Sequence, residues 1–280
     1  MRIGGAIERP YNTPEEWVEL AKSLRYSTVL CPVDCNSDTN SRQAYKKAAI
    51  EADLVIGEVG VWRNTMSTDD AIRKDAMEYA KAQLALAEEM EAKCCVNIIG
   101  SRSSVAWDTF DIENYSDDFY ALAVDSVREI IDAVNPKNTF YTIEPMPWVC
   151  PDSPEQYLKL IKDVDRGGFG VHLDFVNMIN CPERYVKSTA FVVHCFDLLG
   201  PYIKSIHCKD SIMERAYTAV IHETMPGQGS LDYQKILPMV EKLGPDTPLF
   251  VEHLPDYETY MEAAAFIRNE AEKAGIKVKG

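Results

Sequence analysis

Eight short apolar runs recur along the chain, and each is followed by a longer amphipathic stretch. The runs are Arg2–Ile7, Tyr26–Cys31, Leu54–Gly60, Cys94–Gly100, Thr139–Pro145, Gly168–Asp174, Ile203–Asp210 and Pro248–Leu254. They are rich in Val, Ile, Phe and Cys and bounded by Gly, Pro or polar residues, as parallel strands buried on both faces are. Helix-start chemistry lies between them. Thr13-Pro14-Glu15-Glu16 and Ser153-Pro154-Glu155 put a capping hydroxyl before a proline at the first helical position, where the missing N–H costs nothing. Ser67–Ala92 opens with Ser-Thr-Asp-Asp, and Pro182–Leu199, Ser230–Leu243 and Asp256–Ala274 continue the alternation.

Eight strand–helix units predict an α/β fold, a single-domain (β/α)8 TIM barrel over residues 1–280. The length suits a barrel of roughly 250 residues with some insertion. A doubly wound open sheet is the alternative. It usually has fewer strands and often opens with a glycine-rich phosphate loop, and Gly4-Gly5 does not complete that fingerprint. No linker, low-complexity tract or composition break marks a second domain.

Composition narrows the partners. The formal net charge is −15, whereas nucleic acids and anionic membranes are held by Lys and Arg. Met1-Arg2-Ile3-Gly4-Gly5 does not read as a signal peptide, and no apolar run approaches the roughly 18 residues of a membrane helix. The expectation is a soluble, cytoplasmic protein acting on a small molecule, with a homo-oligomer left open. Eight cysteines are then mostly thiols, and without a CxxC pair a structural zinc site is not expected.

Two connections stand out, Ser101–Tyr115 with Arg102, Trp107 and Phe110, and Ser211–Gly229 ending in Pro226-Gly227-Gln228-Gly229. Both follow strand C-termini, the face where barrel active sites lie, so both are candidate lids or substrate walls.

Strands five to eight each end in an acid or a histidine: Ile143-Glu144, Leu173-Asp174, Ile206-His207 and Val251-Glu252. Side chains alternate faces along a strand. If the apolar member of each pair faces the helices, Glu144, Asp174, His207 and Glu252 face the barrel mouth together. Three carboxylates in one low-dielectric mouth repel unless a cation neutralises them. Three oxygens and one imidazole suit a six-coordinate divalent ion, Mn²⁺ first, with Mg²⁺, Co²⁺ or Zn²⁺ as alternatives. Its open positions would take two vicinal oxygens of a sugar.

Ile143-Glu144-Pro145, His172-Leu173-Asp174, Ile206-His207-Cys208-Lys209-Asp210, Pro226-Gly227-Gln228-Gly229 and Val251-Glu252-His253 together resemble the sugar-phosphate isomerase/epimerase superfamily, the xylose isomerase-like TIM barrels. The resemblance spans almost the whole chain. It implies one divalent metal on Glu144, Asp174, His207 and Glu252. It also implies that Glu144 and Glu252 shuttle a proton beside a carbonyl through an enediolate. The sequence departs from ketose 3-epimerases at Cys150, Asn177 and Met213, where that group has glutamate, histidine and arginine.

Two functions follow from the resemblance. The first is a metal-dependent isomerase or epimerase of a ketose or related sugar. The alternative is a lyase or dehydratase on a keto-sugar, keto-inositol or 3-oxo-C-glycoside, with a small partner subunit open. His172 is a further catalytic candidate or a support for a metal ligand. Lys209, Trp107, His222, Trp148 and Glu58 are candidate substrate-binding residues, with Trp62 and Asn97 on the same face. Lys209 alternatively pairs with Asp210 or Glu252. An endonuclease of this barrel type needs more histidines than the five present and a less acidic surface. A sugar-binding protein without catalysis is the remaining reading.

Overall fold

A computed structural model describes residues 1–279. The strands are β1 (Arg2–Gly5), β2 (Thr28–Leu30), β3 (Val55–Gly60), β4 (Cys94–Ile98), β5 (Tyr141–Glu144), β6 (Phe169–Asp174), β7 (Ile203–Cys208), β8 (Asp210–Met213), β9 (Ile221–Thr224) and β10 (Pro248–Val251). All except β8 and β9 form one parallel sheet in the order β1-β10-β7-β6-β5-β4-β3-β2. The Ser27 N–H donates to the Ile3 carbonyl at 3.0 Å and brings the two edges together, so the sheet closes into the expected barrel.

The helices are α1 (Pro14–Ser23), α2 (Thr39–Glu51), α3 (Asp70–Met90), α4 (Asp117–Val134), α5 (Pro154–Val164), α6 (Pro182–Val186), α7 (Ser188–Leu199), α8 (Tyr233–Leu243) and α9 (Tyr257–Lys273). Thr13 and Ser153 cap α1 and α5 through their hydroxyls, as their sequences predict. Asp38, through its carboxylate, and Ser116, through its hydroxyl, cap α2 and α4, two helices whose starts carry no proline signal. The apolar faces of strands and helices meet in one buried layer that includes Ile3, Val29, Ile143, Leu173, Ile206 and Leu249.

Two segments differ from expectation. The run predicted as one strand to Asp210 ends at Cys208, and the supposed loop after it is largely an antiparallel hairpin of β8 and β9. The Asp210 carboxylate ties its base, accepting from the N–H groups of Ser211 (2.8 Å), Gly227 (3.1 Å) and Leu231 (3.1 Å). The stretch predicted as one helix over Pro182–Leu199 breaks at Lys187, whose φ of −110° and ψ of 25° leave the helical region. Among the described residues no helix is long and apolar enough to cross a membrane, and all eight cysteines are free thiols.

Candidate metal centre

Glu144 and Asp174 end β5 and β6, His207 is the penultimate residue of β7, and Glu252 follows β10 directly. Parallel register puts Asp174 beside His207 and Phe250 beside His207 on its other side. The period of two then turns all four groups to the mouth. One ligand atom from each lies within 4.8 Å of the others. His207 Nδ1 is 3.0 Å from Glu252 Oε2, 3.1 Å from Glu144 Oε1 and 3.9 Å from Asp174 Oδ2. Donors about 2.1 Å from a shared octahedral ion sit roughly 3–4 Å apart, so the set fits a small divalent cation.

The unsatisfied valences point the same way. Asp174 Oδ1 accepts from the N–H groups of Val176 and Asn177 at 2.9 and 3.0 Å, which fixes the carboxylate. Asp174 Oδ2 and Glu252 Oε2 are buried without an aligned hydrogen bond. Lys209 Nζ is 2.6 and 2.9 Å from them, an ionic contact lacking hydrogen-bond direction. Buried anionic oxygens without aligned donors favour a cation between them.

Beneath the four lies a second polar layer. Glu58 Oε2 is 3.4 Å from His207 Nε2, and Glu58 Oε1 is 3.3 Å from His172 Nδ1 and accepts from the Ser205 hydroxyl. The imidazoles of His172 and His207 meet edge to face with centroids 4.0 Å apart. A carboxylate on the far nitrogen of a ligating histidine fixes its tautomer and ring orientation. Glu58 therefore supports His207 from this layer and, although only 2% exposed, also lines the cavity. His172 is fully buried in the same layer, against Glu58 and His207, and is not among the residues that line the cavity. Its position two residues before Asp174 on β6 places it one layer lower.

Burial and charge compete throughout. Burial pushes Asp174 up to about 6, against the pull of Lys209. Burial opposes the charge on His207, but Glu252, Glu144 and Glu58 outweigh it and hold the imidazole well above its ordinary value. Lys209 is held high in the same way, chiefly by Asp174 and Glu252. Burial also opposes ionisation of Glu58, Glu144 and Glu252, yet the neighbouring imidazoles keep all three below the usual carboxylate range.

Lys209, Glu223, His253 and Asn177 complete the surroundings. Lys209 Nζ contacts Glu223 Oε2 at 3.1 Å, His253 Nδ1 contacts Glu223 Oε1 at 2.9 Å, and Asn177 Nδ2 donates to Glu144 Oε1 at 3.2 Å. Lys209 is 1% exposed and makes ion pairs with Asp174, Glu223 and Glu252, the last being the pairing named as the alternative to substrate binding. Glu223 escapes notice in the sequence because it lies inside what reads as a loop. The strand period of Ile221-His222-Glu223-Thr224 is the signal that finds it. That alternation also sends His222 the other way, where it pairs with Glu214 and lines a separate, smaller cavity.

The main cavity measures about 1020 Å³ and opens over Glu144, His207 and Glu252. Trp107 and Trp62 line it. Trp148 does not; it packs, partly buried, against the core. Asn97 is fully buried and binds the backbone of Arg63.

Solved structures share this fold at low identity. A xylose isomerase-like TIM barrel protein from Mycobacterium smegmatis, in complex with magnesium, has a TM-score of 0.69 at 16% identity, covering 97% of this chain and 92% of its own. D-Psicose 3-epimerase with D-tagatose from Clostridium cellulolyticum H10 gives 0.71 at 13%, covering 99% and 100%. A 3-keto-D-glucoside 4-epimerase from E. coli gives 0.70 at 16%, covering 96% and 99%. No curated protein sequence matches the chain. The model of one sequence family, described as xylose isomerase-like TIM barrel, matches residues 11–270. With the barrel closed and that match spanning nearly all of it, the chain belongs to the xylose isomerase-like TIM barrel family.

Proposed function

We propose that the protein is a divalent-metal-dependent isomerase or epimerase that moves a proton on the carbon next to the carbonyl of a ketose or related sugar. The observation that carries this is the convergence of Glu144, Asp174, His207 and Glu252 at the floor of a cavity. A cation held by these four, Mn²⁺ in the first instance, would supply Lewis acidity beside the carbonyl. Glu144 and Glu252 would hold and return the proton, because both are carboxylates that line the cavity. Asn177 and His207 engage Glu144 Oε1, and His253 Nε2 faces Glu252 Oε1 at 3.3 Å, so each glutamate is fixed in place. Lys209 and Glu58 would set the charge and orientation of the ligands from beneath. The sugar epimerases among the structural neighbours are consistent with this reading.

The test is solvent exchange. The Mn²⁺-loaded protein, incubated in D₂O with a panel of ketoses and 3-keto-glycosides, should place one deuterium beside the carbonyl of at least one of them, read by mass spectrometry. Loss of water or of a leaving group would assign elimination instead. No exchange and no elimination on any member would refute the proposal.

A further inference from the structure

The cavity extends beyond the four ligands, and the extension mixes apolar residues with the polar Asp34, Ser37 and Gln83. The apolar members Leu30, Pro32, Val33, Trp62 and Tyr79 line it on the side of β2 and β3, with Leu30 and Trp62 40% and 37% exposed. Trp62 has an uncommon backbone. Seven non-glycine residues have positive φ. Glu91, Asn135 and Asp165 cap helices, and Arg25 and Asp53 directly follow the caps Leu24 and Ala52. The other two, Trp62 (49°) and His253 (54°), follow barrel strands and line the cavity. A bulky residue is disfavoured in that region and persists when its surroundings hold it there. Here Asn97 clamps the next residue, accepting from the Arg63 N–H at 3.2 Å and donating to the Arg63 carbonyl at 3.0 Å. The indole folds back onto Gly60, where a Cβ would lie 2.2 Å from Trp62 Nε1. The ring is thus fixed at the mouth with much of its surface bare.

Charge excludes one class of substrate. No Lys or Arg lines the cavity, while Asp34, Glu58, Asp108, Glu144, Glu223 and Glu252 do. Lys209 is buried and engaged by carboxylates. Even a divalent ion and Lys209 together leave acid in excess, so a phosphate or carboxylate on the substrate meets repulsion. The volume of about 1020 Å³ matches cavities that enclose drug-sized ligands and far exceeds a bare hexose.

We infer that the substrate is an uncharged keto-glycoside, its sugar ring carrying the carbonyl, whose flat, apolar aglycone stacks on Trp62 while the sugar reaches the carboxylate cluster. Simple glucosides serve as unreactive probes of that binding. The sugar end rests on the proposed function; the aglycone site stands on Trp62 and the apolar residues Leu30, Pro32, Val33 and Tyr79 beside it. The experiment is calorimetric titration of the Mn²⁺-loaded protein with phenyl β-D-glucopyranoside, methyl β-D-glucopyranoside and glucose 6-phosphate. The phenyl glycoside should bind at least tenfold tighter than the methyl glycoside, and the phosphate should bind weakest. Trp62→Ala should remove the phenyl-over-methyl difference, and Trp62→Phe, which keeps an aromatic face, should retain most of it. Equal affinity for the two glycosides, no saturable binding of the phenyl glycoside, preference for the phosphate, or an undiminished difference in Trp62→Ala would overturn the inference. Absence of deuterium exchange with intact phenyl preference would remove the proton-transfer reading and leave the aglycone site standing.

Discussion

Asp174 divides its two oxygens between two tasks. Oδ1 is spent on the turn after β6 and Oδ2 faces the centre beside Lys209. Lys209 and a metal ion answer the same electrostatic demand, so removing the ammonium should hurt most when no metal is present. Lys209→Met in EDTA should lose about 3–5 kcal/mol, the scale for orphaning a buried charge, and chemical denaturation should show much of it recovered in excess Mn²⁺. Equal loss in both buffers would count against a shared site. Protonation supplies a second test. A proton on His207, whose affinity for it is raised by the surrounding carboxylates, or on Asp174, which burial pushes up to about 6, competes with the ion. Metal affinity should therefore rise with pH, by about tenfold between pH 5 and 7 from Asp174 alone. In the metal-free protein the His207 contribution has the opposite sense: it is present at low pH and lost as pH rises through the raised value. The three acids and the imidazole at the four strand ends were legible because each interrupts an apolar run at the same place. Glu223 was less legible, since its four-residue strand period is short and lies within a connection that reads as a loop.

Elements decide which side chains share a face. The β8–β9 hairpin presents Glu223 to the centre and turns His222 away. Its base depends on Gly229, where a Cβ would lie 2.2 Å from Asp210 Oδ1 and 2.4 Å from the Ser211 carbonyl. Gly229→Ala should cost about 1–3 kcal/mol, the scale of forced overpacking, and should speed amide hydrogen exchange selectively in residues 210–224. Unchanged exchange there would show that Asp210 does not anchor the hairpin. The sequence displays Pro226-Gly227-Gln228-Gly229 plainly, but the carboxylate it packs against lies 17 residues earlier at Asp210. That long-range pairing hides the hairpin from local pattern. The break at Lys187 is hidden for a similar reason, since both flanking segments look helical.

The barrel as a whole is the most legible feature, because each strand–helix unit repeats the same apolar period and Thr13 and Ser153 mark helix starts chemically. Closure makes the centre a property of the entire molecule: the four residues that could hold an ion come from β5, β6, β7 and the end of β10. Metal binding should accordingly stabilise the whole fold. Free Mn²⁺ at 100 times its Kd adds about 2.7 kcal/mol, which for a chain of this size is roughly 5–10 °C in Tm by scanning calorimetry.

The most direct measurement is metal content by elemental analysis, with affinity from Mn²⁺ titration, on the wild type, Asp174→Asn and His207→Gln. The account predicts one divalent ion per wild-type chain and at least tenfold weaker binding in each variant. A wild-type chain that takes up no ion, or variants that bind it as tightly, would contradict it.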